Sequence, residues 1–173
     1  LSGDCFLFFH IWCNKGKRYT RVLTCDADGG GLAVLIAGSA SHYCWLSDTD
    51  VMVVTTVDGH LSYKKFDIIN GGHSSLALWM PSEDGHPSVL SDRYIVTDTY
   101  PDKYGQQHLL LCDSKSNQIT TIGSFYASPL TQGEVRCDLH PRSAPEFNKV
   151  IFDSAFSGQR TINIVSLDEI VVN

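Results

Sequence analysis

His86-Pro-Ser-Val-Leu-Ser-Asp-Arg-Tyr-Ile-Val-Thr-Asp98 is a polar opening, a turn and an apolar strand in one short stretch. The opening recurs at His42-Tyr-Cys-Trp-Leu-Ser-Asp48 and, more loosely, at His140-Pro-Arg-Ser-Ala-Pro-Glu146. Each copy runs into an apolar segment: Val51-Met-Val-Val-Thr-Thr56, Tyr94-Ile-Val-Thr-Asp98 and Lys149-Val-Ile-Phe-Asp153. The histidines recur after 44 residues (86 − 42) and again after 54 (140 − 86). A repeat of this length is one supersecondary unit copied along the chain. It gives the three histidines equivalent places in the copies, either as scaffold or as a site.

Around these anchors, short apolar, β-branched and aromatic runs alternate with Gly, Asp, Asn, Ser and Pro turns, and the 3.6-residue helical period is almost absent. Four groups of strands are expected. The first has 5–12, 19–25 and 32–37; the second has 42–45, 51–56, 61–67 and 75–79. The third has 86–90, 94–100, 108–112 and 118–125; the fourth has 136–140, 150–153 and 161–167. Four-stranded antiparallel units of about 40–50 residues are the signature of propeller blades. The second strand of each unit is apolar at nearly every position, which suits burial on both faces between neighbouring blades. The expected fold is therefore all-β: a β-propeller of four-stranded antiparallel blades, about four of them, near 1–38, 39–80, 81–127 and 128–173. Propellers usually carry about 4–8 blades, and the end groups do not complement each other into one blade. The chain also starts without Met in the middle of a pattern. It is expected to be a segment of a larger propeller, with open blade faces that favour self-association.

Composition narrows the function. With 18% charged and 43% hydrophobic residues, the 173-residue chain has the makings of a globular core and not of a disordered polymer. A net charge of −6 disfavours a nucleic-acid partner, which needs many phosphate-neutralising cations. The basic cluster Lys15, Lys17, Arg18 and Arg21 sits between two strand-like runs, as a solvated turn does. No apolar run has the length of a membrane span, and no secretory leader is visible. The expected compartment is the cytoplasm, or the periplasm if a leader belongs to a missing segment. The six cysteines form no CxxC pair and mostly lie in apolar strands, so buried free thiols are expected in place of a disulfide framework or a zinc knuckle. Gly29-Gly-Gly31 leads into another strand, so no dinucleotide loop is expected. No G-x-S-x-G elbow is present either. Neither a nucleotide nor an organic cofactor is indicated.

The chemistry concentrates at the strand openings. The first strand of a blade lines the propeller channel, and His42, His86 and His140 stand at its start. Imidazole is the commonest metal ligand at neutral pH. On a strand, Asp138 and His140 share a face, and Arg136 joins them. His86, His140, Asp138 and His42 are thus candidate ligands for a divalent metal. Arg136 and Arg142 are candidates for a carboxylate or sugar acid. The competing reading makes the His-Pro openings a hydrogen-bonded scaffold and the Arg-Cys-Asp-Leu-His run an ion-pair network.

Ser2-Gly-Asp-Cys-Phe-Leu-Phe-Phe-His10 opens the chain, and Asp84-Gly-His-Pro-Ser-Val-Leu-Ser-Asp-Arg-Tyr-Ile-Val-Thr-Asp-Thr-Tyr-Pro-Asp102 lies at its middle. With Gly133-Glu-Val-Arg-Cys-Asp-Leu-His-Pro-Arg142 and Val150-Ile-Phe-Asp-Ser154, these segments resemble the bacterial oligogalacturonate lyase-related propellers, within the wider TolB-like group. The resemblance implies the C-terminal half of a typically seven-bladed propeller. It also implies a divalent metal, manganese, held by histidines and a glutamine at the channel, whereas the residues alone admit manganese, calcium, zinc or iron. His86 and His140 match two ligand positions. Asp138 stands where the family has a third histidine, and Val135 falls near the glutamine. The function implied is metal-assisted β-elimination on uronate-containing oligosaccharides. The alternative is a non-catalytic propeller that binds a glycan or a protein. The expected partner is an acidic oligosaccharide.

Overall fold

The structure is a computed structural model and describes residues 5–57, 59–128 and 133–170. The first expected blade range therefore begins, and the last ends, on residues outside those described. The strands form four antiparallel sheets of three or four strands each, in two compact units, Leu1–Ala77 and Leu78–Asn173. The fold class is all-β, as the alternating pattern requires.

In the first unit, β1 (Cys5–Asn14) and β2 (Lys17–Asp26) form a hairpin closed by Lys15 and Gly16, with β3 (Ala33–Ile36) beside β2. Both loop residues have positive φ, 48° and 74°. That is the primed turn whose twist matches a right-handed strand pair, and glycine enters it without steric cost. Lys15 and Lys17 are exposed at this turn. The second sheet runs β4 (Ala40–Trp45), β5 (Asp50–Val57), β6 (His60–Asp67) and β7 (His73–Ser75). Val51, Met52, Val53 and Val54 on β5 are completely buried. Such consecutive burial is the mark of a strand covered on both faces. Leu7, Val22, Ile36, Val51, Val53 and Phe66 make the core, with Phe9 and Tyr43 packed against it. Along β1 the period of two leaves Phe6 and Phe8 exposed while Leu7 points inward.

The second unit has β8 (Ser88–Val89), β9 (Tyr94–Asp98), β10 (Gln106–Asp113) and β11 (Gln118–Tyr126) in one sheet. A second sheet holds β12 (Arg142–Ala144), β13 (Lys149–Ser154) and β14 (Thr161–Ser166). One core, including Val96, Leu109, Leu111, Leu139, Val150 and Phe152, joins the two sheets. Ser143 N and Oγ also donate to the Ser88 side chain and carbonyl, at 3.0 and 3.3 Å.

The shared Leu-Ser-Asp offset is a shared turn. Leu46 N donates to Asp50 O at 2.9 Å and Leu90 N to Tyr94 O at 3.0 Å. The serine hydroxyls, Ser47 and Ser91, accept the amides of Asp50 and Tyr94. Serine favours such turns because its hydroxyl replaces a backbone acceptor.

Three expected strands differ. The second group's last strand ends at Ser75, and Leu78 is exposed. The third group's first strand shrinks to Ser88–Val89, and His86 precedes it. The fourth group's first strand is Arg142–Ala144, so 136–140 is irregular chain, with His140 at φ 42°. In the last two cases a buried carboxylate, Asp98, takes the histidine amide that a ladder would otherwise use. All six cysteines are free; Cys112 and Cys137 are buried, whereas Cys13 is exposed because it lies near the outer end of the β1–β2 hairpin.

Arg93 clamps the β9–β10 hairpin through Nε and Nη2 to the two oxygens of Asp113, at 2.9 and 2.8 Å. The Arg93 guanidinium, with bonds from Ser116 and Lys115, holds the Asp113 carboxyl well below the usual carboxylate range. Its stabilisation is therefore present above the unfolded pKa of about 3.9 and fades as pH falls from there toward the folded value. Asp113→Asn is expected to lower stability at pH 7 in urea unfolding. The gap to the parent should narrow toward pH 2, and a constant gap would exclude this charge as its cause.

Candidate functional site

Asp98 ends β9 and is 1% exposed. A buried carboxylate is costly unless its oxygens are satisfied, and here they are. Oδ1 accepts the His86 amide at 2.7 Å, and Oδ2 accepts the His140 amide at 2.9 Å. The His86 ring nitrogen Nδ1 lies 2.9 and 3.0 Å from the same two oxygens. One side chain thus holds both histidine loops. Because a carboxylate only accepts, Nδ1 is the donor in this bond.

The imidazoles of His86 and His140 lie face to face, with centroids 3.8 Å apart and planes 37° apart. Burial and the neighbouring His86 ring hold the His140 pKa below its usual value, against an opposing pull from Asp98. His140 is therefore neutral at pH 7, the form that ligates metals.

Asp138 completes the cluster. Among the described residues, the ligating atoms of His86, Asp138 and His140 lie within 4.8 Å of one another. The structure brings these three side chains together, and it does so from irregular chain at 136–140 and not from the expected strand. His42 lies on β4 of the first unit and is not in the group. The β4–β5 register shifts between Ala40 and Tyr43, the stretch that holds His42.

Arg136 is committed to Asp138, donating to Oδ2 from Nε at 2.9 Å and pairing through Nη2 at 2.7 Å. Its guanidinium also stacks over Tyr100, 4.8 Å from the ring centroid. Gln107, 2% exposed on β10, donates to Asp138 Oδ1 at 3.4 Å. Burial, then the charges of Asp84 and Asp138, raise the Tyr100 phenol above its usual pKa, so it stays protonated at pH 7. Val135 is exposed.

Arg142 takes a different position. With His86, His140, Asp153 and Arg160 it lines an open hollow of about 400 Å³. Asp98, Gln107, Asp153 and Arg160 are the site residues that the sequence alone does not single out. The one usable signal is a polar residue inside an apolar strand, as Gln107 is beside Leu109-Leu-Leu111.

Antiparallel three- and four-stranded sheets in succession, with apolar second strands and polar openings, define a β-propeller class of protein. The solved structures agree. The chain is similar to TolB from Acinetobacter baumannii at 13% identity and TM-score 0.73, with 95% of this chain and 39% of that one covered. It is similar to oligogalacturonate lyase from Vibrio parahaemolyticus at 13% identity and TM-score 0.54, covering 96% and 64%. An oligogalacturonate lyase in complex with manganese matches at 13% identity and TM-score 0.51, covering 96% and 63%. The chain spans less than two thirds of each of these proteins. No protein-family model and no curated protein matches the sequence. No helix among the described residues is long and apolar enough to cross a membrane.

Proposed function

We propose that the second unit carries the divalent-metal centre of a lyase-like propeller acting on uronate-containing oligosaccharides. The observation that carries this reading is the convergence of His86, Asp138 and His140, with His86 Nδ1 anchored on buried Asp98. A ligating histidine characteristically gives its other nitrogen to a carboxylate, which fixes the ring and raises its basicity. The manganese complex of a lyase with a similar fold supports the same reading.

Two imidazoles and one carboxylate suit manganese, iron or zinc. Calcium prefers six to eight oxygens, so it suits the site less well. His86 Nε2, a ring nitrogen of His140 and a carboxylate oxygen of Asp138 would hold the ion. When bound, it would supply Lewis acidity to a uronate carboxylate and so acidify the adjacent C–H. The residues of this chain then orient: Asp98 holds both histidines, and Gln107 holds Asp138. The assay is ultraviolet absorbance of an unsaturated product from oligogalacturonate with manganese present. Metal-dependent product lost in His86→Ala supports the lyase reading, and no product from metal-loaded protein rejects it for this chain.

One observation favours the second reading, a non-catalytic binding propeller. Asp138 already has a guanidinium on Oδ2 and an amide on Oδ1, so it is satisfied without a cation. Arg136 should then compete with the metal. Arg136→Gln is expected to tighten manganese binding about fivefold in calorimetry, as removal of a partly exposed ion pair worth about 1 kcal/mol implies. Weaker binding in that variant would make Arg136 a support of the site and not a competitor.

A further inference from the structure

Three aspartates in the described part of the second unit carry arginine contacts, and they differ in charge balance. Arg93 pairs with Asp113, and Arg136 pairs with Asp138. At Asp153 two cations share one anion: Arg142 Nη2 meets Oδ1 and Arg160 Nη2 meets Oδ2, each at 3.1 Å. The aspartate is 12% exposed as a side chain, whereas the arginines are 50% and 61% exposed. Burial alone would raise the Asp153 carboxyl; the bonds from Arg142 and Arg160 overturn that and leave it lowered. The group is therefore ionised, with a net charge of +1. A guanidinium has five N–H donors, and each arginine gives one to Asp153. Both arginines line the hollow that His86 and His140 also line.

We propose that this hollow is a monocarboxylate-binding subsite, with Arg142 and Arg160 as its two anchors and Asp153 as the residue that splays and orients them. Its ligand class, a uronate, rests on the function proposed above, but the arginines need no metal to act. A planar carboxylate matches the guanidinium fork bidentately. A single negative charge balances the surplus +1, whereas a phosphate dianion would exceed it and face Asp153. The size is that of a small-molecule site, and it places the bound carboxylate beside the histidine pair. Arg160 lies just before β14 and comes to Arg142 only through the fold.

The test is NMR titration of the arginine side-chain Nε–H signals with D-galacturonate in the presence of a chelator. D-galactose and inorganic phosphate are run in parallel. The expected result is that galacturonate shifts the Arg142 and Arg160 signals and binds at least about tenfold more tightly than galactose or phosphate. Arg142→Gln and Arg160→Gln should each weaken it about tenfold. Each variant leaves Asp153 one guanidinium, and Arg93→Gln, remote from the hollow, should leave the affinity unchanged. Equal binding of galactose, tighter binding of phosphate, or indifference to both arginine variants would overturn the proposal. Because chelator is present, loss of the metal reading leaves this outcome intact, and metal binding without uronate binding sinks this proposal alone.

Discussion

Asp98→Ala is expected to destabilise the second unit by roughly 3–5 kcal/mol. The substitution strands three donors at once: the amides of His86 and His140 and the Nδ1–H of His86. Each buried donor left unpaired costs about 1–3 kcal/mol, and partial relaxation keeps the total below the sum. Such a loss is a large fraction of a typical domain stability of about 5–15 kcal/mol. Amide hydrogen exchange along β10 reads it out in the second unit alone. Asp98→Asn separates scaffold from site. The amide keeps one acceptor oxygen but turns a donor toward another donor. Stability should fall less than in Asp98→Ala, while manganese affinity should drop about 10–100-fold, the usual effect of losing a carboxylate behind a ligating histidine. A loss under about 1 kcal/mol in Asp98→Ala would remove Asp98 from its central place.

Gly85→Ala should be the next most damaging change. A Cβ at Gly85 would run into the carbonyl oxygen of Asp98 and come within 2.8 Å of Thr97 Oγ1. Backbone cannot rotate away as a side chain can, so the segment before His86 must lift off β9. The expected stability cost is about 1–3 kcal/mol, the range for overpacking a tight site. Metal binding should suffer more, by at least about tenfold, because the displaced amide is the one that Asp98 holds. Calorimetry with manganese and urea unfolding on the same sample check both. Unchanged affinity would mean that His86 is not held by this contact.

These two residues also show what the sequence carries. The strand order was legible because apolar runs such as Val51-Met-Val-Val54 have no other place than between two covering layers. The Leu-Ser-Asp repeat was legible because it encodes one turn twice. The pairing of His86 with His140 followed from their common position before a strand. Asp98 reads ambiguously because an acidic residue at a strand end does not announce its partners, up to 42 residues away. Arg136–His140 looked like a strand because its residue types alternate, and tertiary hydrogen bonding overrode that pattern. Arg160 meets Arg142 only through Asp153, a contact that no local spacing announces.

The most direct test of the metal centre is elemental analysis of the purified chain after loading with manganese and desalting, with calcium loaded in parallel. His86→Ala and His140→Ala are measured beside the parent. The account predicts stoichiometric manganese in the parent, lost in both variants, and little retained calcium. Manganese at background in the parent, or equal manganese in all three proteins, would contradict it and leave the histidines as scaffold held by Asp98.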